Sequence, residues 1–374
     1  MAVTPEIRKL NKRNTYLYIY RHKECSKQEL ASSVGQSLPT VNQNLNELFE
    51  DGFVRVAGHY KSTGGRKPMV LQCTPEARVA VGVQILAEQA TAVLLDLYGE
   101  VLACEILREP YSNEEAYFKK AGRFIANFVD SAGYSESKLL GIAVATQGVA
   151  DYDHKKLVYG RILNNYGLSA DQFSTYIGKP CILMHDSETA AFAESFHRPN
   201  LRDSSYIFLN DYLGSASIIG GNLYRGNHGR GQLLEHVKLV RGGRKCYCGQ
   251  SGCAESYCGA YGLRKLSGLS TDEFFRRLRS QDTRIQNMWD EYLDHLALLL
   301  HNVLMTMDVD IILGGLLRKY MVPGDLKIIE EKIRLQTDFD IPEQTITLEY
   351  ITDYPAARGA ALYLVRDFLD NFEA

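Results

Sequence analysis

The stretch SKQELASSVGQSLPTVNQNLNELFEDG, residues 26–52, carries the signals of two short helices around one tight turn. Ser26 with Glu29 three positions on is a capping box, in which each side chain satisfies the other residue's free backbone N–H, so a helix is predicted from Lys27. Gly35 can adopt the left-handed conformation that ends such a helix. Ser37 caps the next one, with Pro39 in its first turn, where a missing N–H costs nothing. Leu38, Val41, Leu45, Leu48 and Phe49 recur at helical spacing and are predicted to face a core, and Gly52 stops the helix. The spacing of Ala31, Gly35 and Val41 matches a helix-turn-helix: Ala31 is small where the second helix crosses, and Val41 fills the angle between the two. The outward face then offers Thr40, Asn42, Gln43, Asn44 and Asn46, and carboxamides suit adenine N6 and N7 in the major groove. A helical hairpin with a merely solvated face is the alternative; cap, turn and apolar spacing together favour the DNA reading.

Outward from there, FVRVAGHYKSTGGRKPMVLQC, residues 53–73, alternates as two strands of a β-wing around a basic tip. Lys61, Arg66 and Lys67 in that tip are candidates for phosphate or minor-groove contacts, although a plain linker reads the same way. The DNA-binding candidates are therefore Ser37, Thr40, Asn42, Gln43, Asn46, Lys61, Arg66 and Lys67. Charge agrees: residues 1–72 carry 11 Lys and Arg against 6 acids, so a net +5 module stands on a remainder of −8 in a chain of net −3. Such asymmetry fits one end meeting a polyanion, or a solvated surface.

The 374 residues, 45% hydrophobic and 23% charged, are ordinary for a soluble globular protein of two or three domains. The N-terminal MAVTPEIRKL has no apolar signal-peptide core. The most apolar run, HLALLLHNVLMTMDVDIILGGLL, is broken by His301, Asp308 and Asp310 and reads as a buried helix followed by a strand. The expected compartment is the cytoplasm, where thiols stay reduced. From about Pro75 onward strands alternate with helices, including a helix near residues 285–307, which predicts an α/β body of two lobes with a cleft and no repeat at a 20–50 residue period.

RKCYCGQSGCAESYCG, residues 244–259, places Cys246, Cys248 and Cys253 around Gly249 and Gly252, with His236 ten residues before the first thiol. Three thiolates and one imidazole form a closed tetrahedral shell that suits structural Zn²⁺. A redox thiol cluster is the alternative. Cys25, Cys73, Cys104, Cys181 and Cys258 are predicted as small core residues.

The winged helix, TGGRKP, the order of strands and CYCGQSGCAES together resemble the ROK family (repressor, open reading frame, sugar kinase) over essentially the whole chain, in the branch that carries a DNA-binding domain. The resemblance implies a winged helix-turn-helix in residues 1–73 and a two-lobed, actin-like (sugar kinase/ribonuclease H-like) α/β body. Its first lobe is expected in 74–195, completed by a C-terminal helix in 356–374, and its second, with the zinc loop, in 196–355. The resemblance also points to zinc on His236, Cys246, Cys248 and Cys253, and to sugar contacts from His236 and Glu255. Asp186 in MHDSETAA matches the family's catalytic aspartate, and Asn164 or Asn165 is a further contact from the preceding loop. Glu255 reads equally as a charge at a helix N-terminus.

Departures from the family matter more. Gln84, Leu86, Ala87 and Glu88 stand where the family has Asp-x-Gly-Gly-Thr, although Asp96 survives. NDYLGSASIIGG lacks the usual glycine cluster of the second phosphate loop, and only LGG at 313–315 looks intact. In QLLEH, Leu233 replaces a hydroxyl-binding Glu and Glu235 replaces a Gly. The expectation is a protein with no catalytic residues, Asp186 being vestigial. It would be a sugar-responsive regulator, most simply a repressor of carbohydrate-use genes, binding operator DNA as a homodimer or dimer of dimers. An ATP-dependent sugar kinase with an appended DNA-binding domain is the rival reading.

Overall fold

The computed structural model describes residues 5–60, 68–231 and 233–372. Lys61, Arg66 and Lys67 therefore lie outside the described residues. The head consists of α1 (Pro5–His22), α2 (Lys27–Val34) and α3 (Leu38–Glu50), followed by the antiparallel wing strands β1 (Val54–His59) and β2 (Met69–Cys73). The capping box at Ser26 is formed and Gly35 takes φ 64°. Ser37 Oγ accepts the N–H of Thr40 at 3.3 Å.

Two positions on α3 differ from the sequence reading. Leu38 is 46% exposed, because it sits in the first turn where no other helix covers it. Asn44 is buried, donating from Nδ2 to Thr15 Oγ1 at 3.1 Å and to Gln36 Oε1 at 2.9 Å. It falls inside the stripe of Val41, Leu45 and Leu48, and α1 closes over that stripe. The sequence reading passed over α1. Its buried face is only Tyr16 and Ile19 with Thr15 and Lys12, and the Lys12 ammonium is neutralised by Glu47 at 3.2 Å and Asp51 at 3.1 Å.

The body repeats one arrangement twice. In the first lobe β3 (Val79–Ile85), β4 (Ala90–Leu95) and β5 (Val101–Leu107) form an antiparallel meander, and α4 (Glu115–Ser131) leads to β6 (Leu139–Thr146), parallel to β3. A small hairpin of β7 (Val149–Ala150) and β8 (Leu157–Tyr159), then α5 (Ala170–Ile177), precede β9 (Cys181–His185), which runs parallel to β6 and straight into α6 (Asp186–His197). The second lobe has the meander β10 (Ser204–Leu209), β11 (Leu213–Ile219) and β12 (Asn222–Tyr224), and then the helices α7 (Glu255–Cys258), α8 (Ala260–Ser267), α9 (Thr271–Arg279) and α10 (Thr283–Met307). Strand β13 (Asp310–Gly314) pairs parallel to β10, and α11 (Pro323–Arg334) leads to β14 (Ile346–Leu348), parallel to β13. The orders β5-β4-β3-β6-β9 and β12-β11-β10-β13-β14 are the same pattern. This duplication does not register at short repeat periods because its unit is a whole lobe.

Helix α12 (Pro355–Asp370) then returns to the first lobe and lies between α6 and β3. Two glycines permit that approach: a Cβ on Gly359 would stand 1.7 Å from the Thr189 carbonyl oxygen, and one on Gly82 1.9 Å from that of Ala357. Near its end α12 carries Phe368 and Phe372 into the head. The Phe372 ring stacks on Tyr16 at 4.1 Å and meets Phe53 edge-on at 5.1 Å, while Tyr20 stacks on Tyr98 at 4.7 Å. The apolar core consequently runs without a break from the winged helix into the first lobe.

Cys25, Cys73 and Cys258 are buried as predicted, but Cys104 is exposed, because β5 is the outer strand of its sheet. Among the described residues no helix is long and apolar enough to cross a membrane.

Candidate effector cleft, metal-binding cluster and DNA-reading helix

Asp186 opens α6 directly after β9, at the carboxyl end of a parallel strand, where α/β folds place their ligand crevices. The carboxylate is buried and its Oδ1 accepts the Ser187 N–H at 2.8 Å. Burial outweighs that hydrogen bond and pushes the carboxyl up to about 6. Burial, with Arg225 adding to it, lowers the neighbouring His185 to about 4, so that imidazole is neutral at pH 7; its Nε2 is 3.5 Å from Asp186 Oδ1. Glu235 faces the same space from the second lobe. It accepts the Ser215 hydroxyl at 3.0 Å, and burial, with a smaller push from the Asp186 charge, moves it up to about 7.

The cavity between these carboxylates is small. Its volume is about 30 Å³, and Tyr159, Phe208, Tyr212 and Tyr247 wall it in. A single water needs about 10–15 Å³ of such space, and even benzene needs a cavity on the order of 150 Å³. A pyranose ring therefore enters only if these aromatic walls move.

Of the four predicted sugar contacts, only Asp186 lines this cavity. His236 turns Nδ1 toward the thiol loop and holds Nε2 3.4 Å from Tyr247 Oη. Glu255 lies one layer behind: its Oε2 accepts the Leu213 N–H at 2.5 Å, and burial pushes it up to about 8. Asn165 is fully buried behind two glycines, its Nδ2 donating to the Gln147 carbonyl at 3.2 Å. A Cβ on Gly160 would stand 2.0 Å from Asn165 Oδ1, which has no hydrogen-bond partner among the described residues. Sequence reasoning missed Glu235 and Tyr247 as cavity residues. The available signals were an acid set in the apolar run LLEH and an aromatic held between two cysteines.

The ligand atoms of His236, Cys246, Cys248 and Cys253 all lie within 4.8 Å of one another. Cys248 and Cys253 Sγ are 3.8 Å apart, and Cys246 Sγ is 3.9 Å from His236 Nδ1. Thiolates bound tetrahedrally about 2.3 Å from one ion sit about 3.8 Å apart, so this cluster has the spacing of a tetrahedral metal site. Gly252, at φ 81°, lets the loop turn where a Cβ would meet the Val240 carbonyl oxygen at 1.8 Å. Lys238 Nζ donates to Cys253 Sγ at 3.1 Å.

Other loops around the cleft are held by local bonds. Leu86 N–H donates to the Gln89 carbonyl at 2.9 Å and closes the β3–β4 turn on itself. Asp96 is occupied by the backbone N–H groups of Tyr98 and Glu100 at 2.8 and 3.0 Å. Asp211 pairs with Arg264 at 2.5 Å, and Tyr212 packs against Tyr247 and Tyr261 at ring distances of 5.4 and 5.8 Å. On the head, Ser37, Asn42, Gln43 and Asn46 are exposed along α3 and Thr40 is half-buried.

A winged helix-turn-helix head mounted on a duplicated α/β body with an inter-lobe cleft defines the class: a DNA-binding module on an actin-like, sugar-kinase-type scaffold. Residues 9–55 match the winged helix-turn-helix DNA-binding family and residues 80–367 match the ROK family, so the chain belongs to the ROK family. It is 26% identical over 281 residues to the xylose repressor of Bacillus subtilis (strain 168), covering 74% of this chain and 71% of the repressor. To the transcriptional dual regulator NagC of Escherichia coli (strain K12) it is 26% identical over 254 residues, covering 67% of this chain and 62% of NagC. Among solved structures, a ROK family transcriptional regulator homologous to the Escherichia coli MLC protein superposes with a TM-score of 0.77 at 17% identity, covering 97% of both chains. The ROK hexokinase of Thermus thermophilus gives 0.66 at 21% identity over 78% of this chain and 100% of the enzyme.

Proposed function

We propose that the protein is a sugar-responsive transcriptional regulator, acting as a repressor of carbohydrate-use genes, whose body senses a sugar and transfers no phosphate. The observation that carries this reading is mechanical: Asp186 begins α6, α12 lies along α6, and α12 ends inside the core of the DNA-reading head. A sugar whose hydroxyls bind Asp186 and Glu235 must displace Tyr247 and its aromatic neighbours, and any shift of α6 is passed through α12 to α1, which packs on α3. Coupling of about 1–3 kcal/mol makes a 5–150-fold change in operator affinity. The protein acts on a palindromic operator as a homodimer or dimer of dimers, since two-fold half-sites mirror two-fold proteins. Fluorescence anisotropy on operator fragments, with and without a panel of pentoses, hexoses and amino sugars, tests the coupling; equal affinity with every sugar removes the sensor claim. The kinase alternative has one observation in its favour, the buried Asp186 poised as a base. ADP release at ordinary kinase rates with any of these sugars would establish it. Against it speak the exposed Glu88, whose charge would repel a phosphate, and the Asp211–Arg264 pair and stacked Tyr212 at the second turn.

Asn42 and Gln43 are assigned to base edges, with Ser37, Thr40 and Asn46 alongside them. Replacing both Asn42 and Gln43 by alanine is expected to weaken specific operator binding roughly 10–100-fold while non-specific binding and its salt slope stay unchanged, since neither side chain neutralises a phosphate. Competition anisotropy at two salt concentrations separates the two.

Zinc is the metal the Cys₃His set suits, because a closed tetrahedral shell leaves no position for water and the role is structural. His236 would bind through Nδ1, which leaves Nε2 facing Tyr247 at the cavity wall. Cys253→Ala is expected to abolish stoichiometric zinc in elemental analysis and to lower the melting temperature by several degrees, with operator binding retained and the sugar response lost. Zinc at the level of the unaltered protein in that variant would refute the assignment.

A further inference from the structure

A second, larger compartment lies beside the small carboxylate cavity, and its chemistry is different. It has a volume of about 750 Å³, within the roughly 300–1,000 Å³ range of small-molecule sites. Its walls are largely apolar: Val149, Ala150 and Val158 from the β7–β8 hairpin, Leu233 from the second lobe, and the rings of Tyr152 and Tyr159. Val149 and Tyr159 also line the carboxylate cavity, so the two spaces share one wall. Its frame is built. Arg225 bonds the Ala150 carbonyl at 2.9 Å, the Asp151 carbonyl at 3.3 Å and Glu188 Oε1 at 3.1 Å, and it lies over the Tyr152 ring. Tyr152 Oη in turn accepts the Gly229 N–H at 3.2 Å. Asp151, Asn227, His228, Arg230 and His236 also line it, but most of its exposed wall is apolar, and such wall gives a free monosaccharide's hydroxyls no partner.

We propose that this compartment receives an apolar substituent of the effector, so that the ligand is a glycoside or related derivative with an aryl or alkyl group rather than a free sugar. The inference rests on the sugar-sensor reading: the hydroxyls go to Asp186 and Glu235, and the substituent reaches across the wall formed by Val149 and Tyr159.

The test is titration calorimetry on the full-length, zinc-replete protein with paired methyl and phenyl β-glycosides of xylose, glucose and N-acetylglucosamine. At least one phenyl glycoside is expected to bind tenfold or more tightly than its methyl partner, and Leu233→Asp is expected to narrow that gap to within about twofold. Methyl and phenyl forms of equal measurable affinity overturn the inference and leave the sensor reading standing. Phenyl glycosides that bind as well to Asp186→Asn as to the unaltered protein support the compartment and overturn the sensor reading. Absence of binding by either form overturns both.

Discussion

Gly359→Ala is expected to lower the melting temperature by roughly five degrees. The added Cβ would stand 1.7 Å from the Thr189 carbonyl oxygen and 2.4 Å from its carbon, and neither atom can rotate away because both belong to the backbone of α6. Helix α12 must move outward along its whole contact with α6, a clash-and-cavity cost of about 4 kcal/mol or more. For a chain of 374 residues that corresponds to about 1–2 °C per kcal/mol. The same displacement withdraws Phe368 and Phe372 from Tyr16 and Phe53, so operator affinity is expected to fall together with stability. Gly324→Ala in α11 is the control. The only atom a Cβ would meet there is Val322 Cγ2 at 4.0 Å, and alanine in a helix is neutral to mildly stabilising. Calorimetric scans of the two variants decide the matter; an unchanged melting temperature in Gly359→Ala would refute the close approach.

Asp186→Asn is expected to stabilise the protein while abolishing its sugar response. The folded carboxyl lies at about 6 against an ordinary value of 3.8, chiefly through burial. A raised carboxyl pKa means that the folded state holds its proton more tightly than the unfolded chain does. The contribution of Asp186 to stability is then fully present below pH 4 and falls as pH rises from about 4 to about 6, leaving a deficit of about 3 kcal/mol at pH 7. The neutral amide removes that deficit. The gain in melting temperature over the unaltered protein should therefore be several degrees at pH 7 and vanish near pH 4. A buried charge kept at such a cost fits a site that binds, because a ligand hydroxyl donating to Asp186 recovers the loss. If the variant is less stable at pH 7, Asp186 is holding the fold together instead.

Much of the head was legible in the sequence because its signals are local. Capping box, left-handed glycine and helical spacing act within a few residues, and the structure forms each of them at Ser26, Gly35 and Val41. Asn44 escaped for the same reason in reverse. Its polarity suggests solvent, and only the packing of α1 shows that Thr15 and Gln36 were waiting for it. The Cys-x-Cys-x4-Cys spacing likewise announced a metal-type cluster, since tight thiol spacing and two glycines constrain the loop by themselves. Cys104 was misjudged because strand position in the sheet, edge or centre, is a long-range property.

The amino-acid order by itself determined a winged helix-turn-helix, an α/β body and a Cys₃His loop, because turns, caps and short-range spacing are written within single segments. Only the tertiary structure decided which carboxylates share the cleft. Asp186 and Glu235 meet there, while Glu255 and Asn165 are turned to brace the loops behind it. It also decided that the DNA-reading head is anchored by the last helix of the chain, because aromatic side chains far apart in sequence, Tyr16, Phe53 and Phe372, bury their faces together.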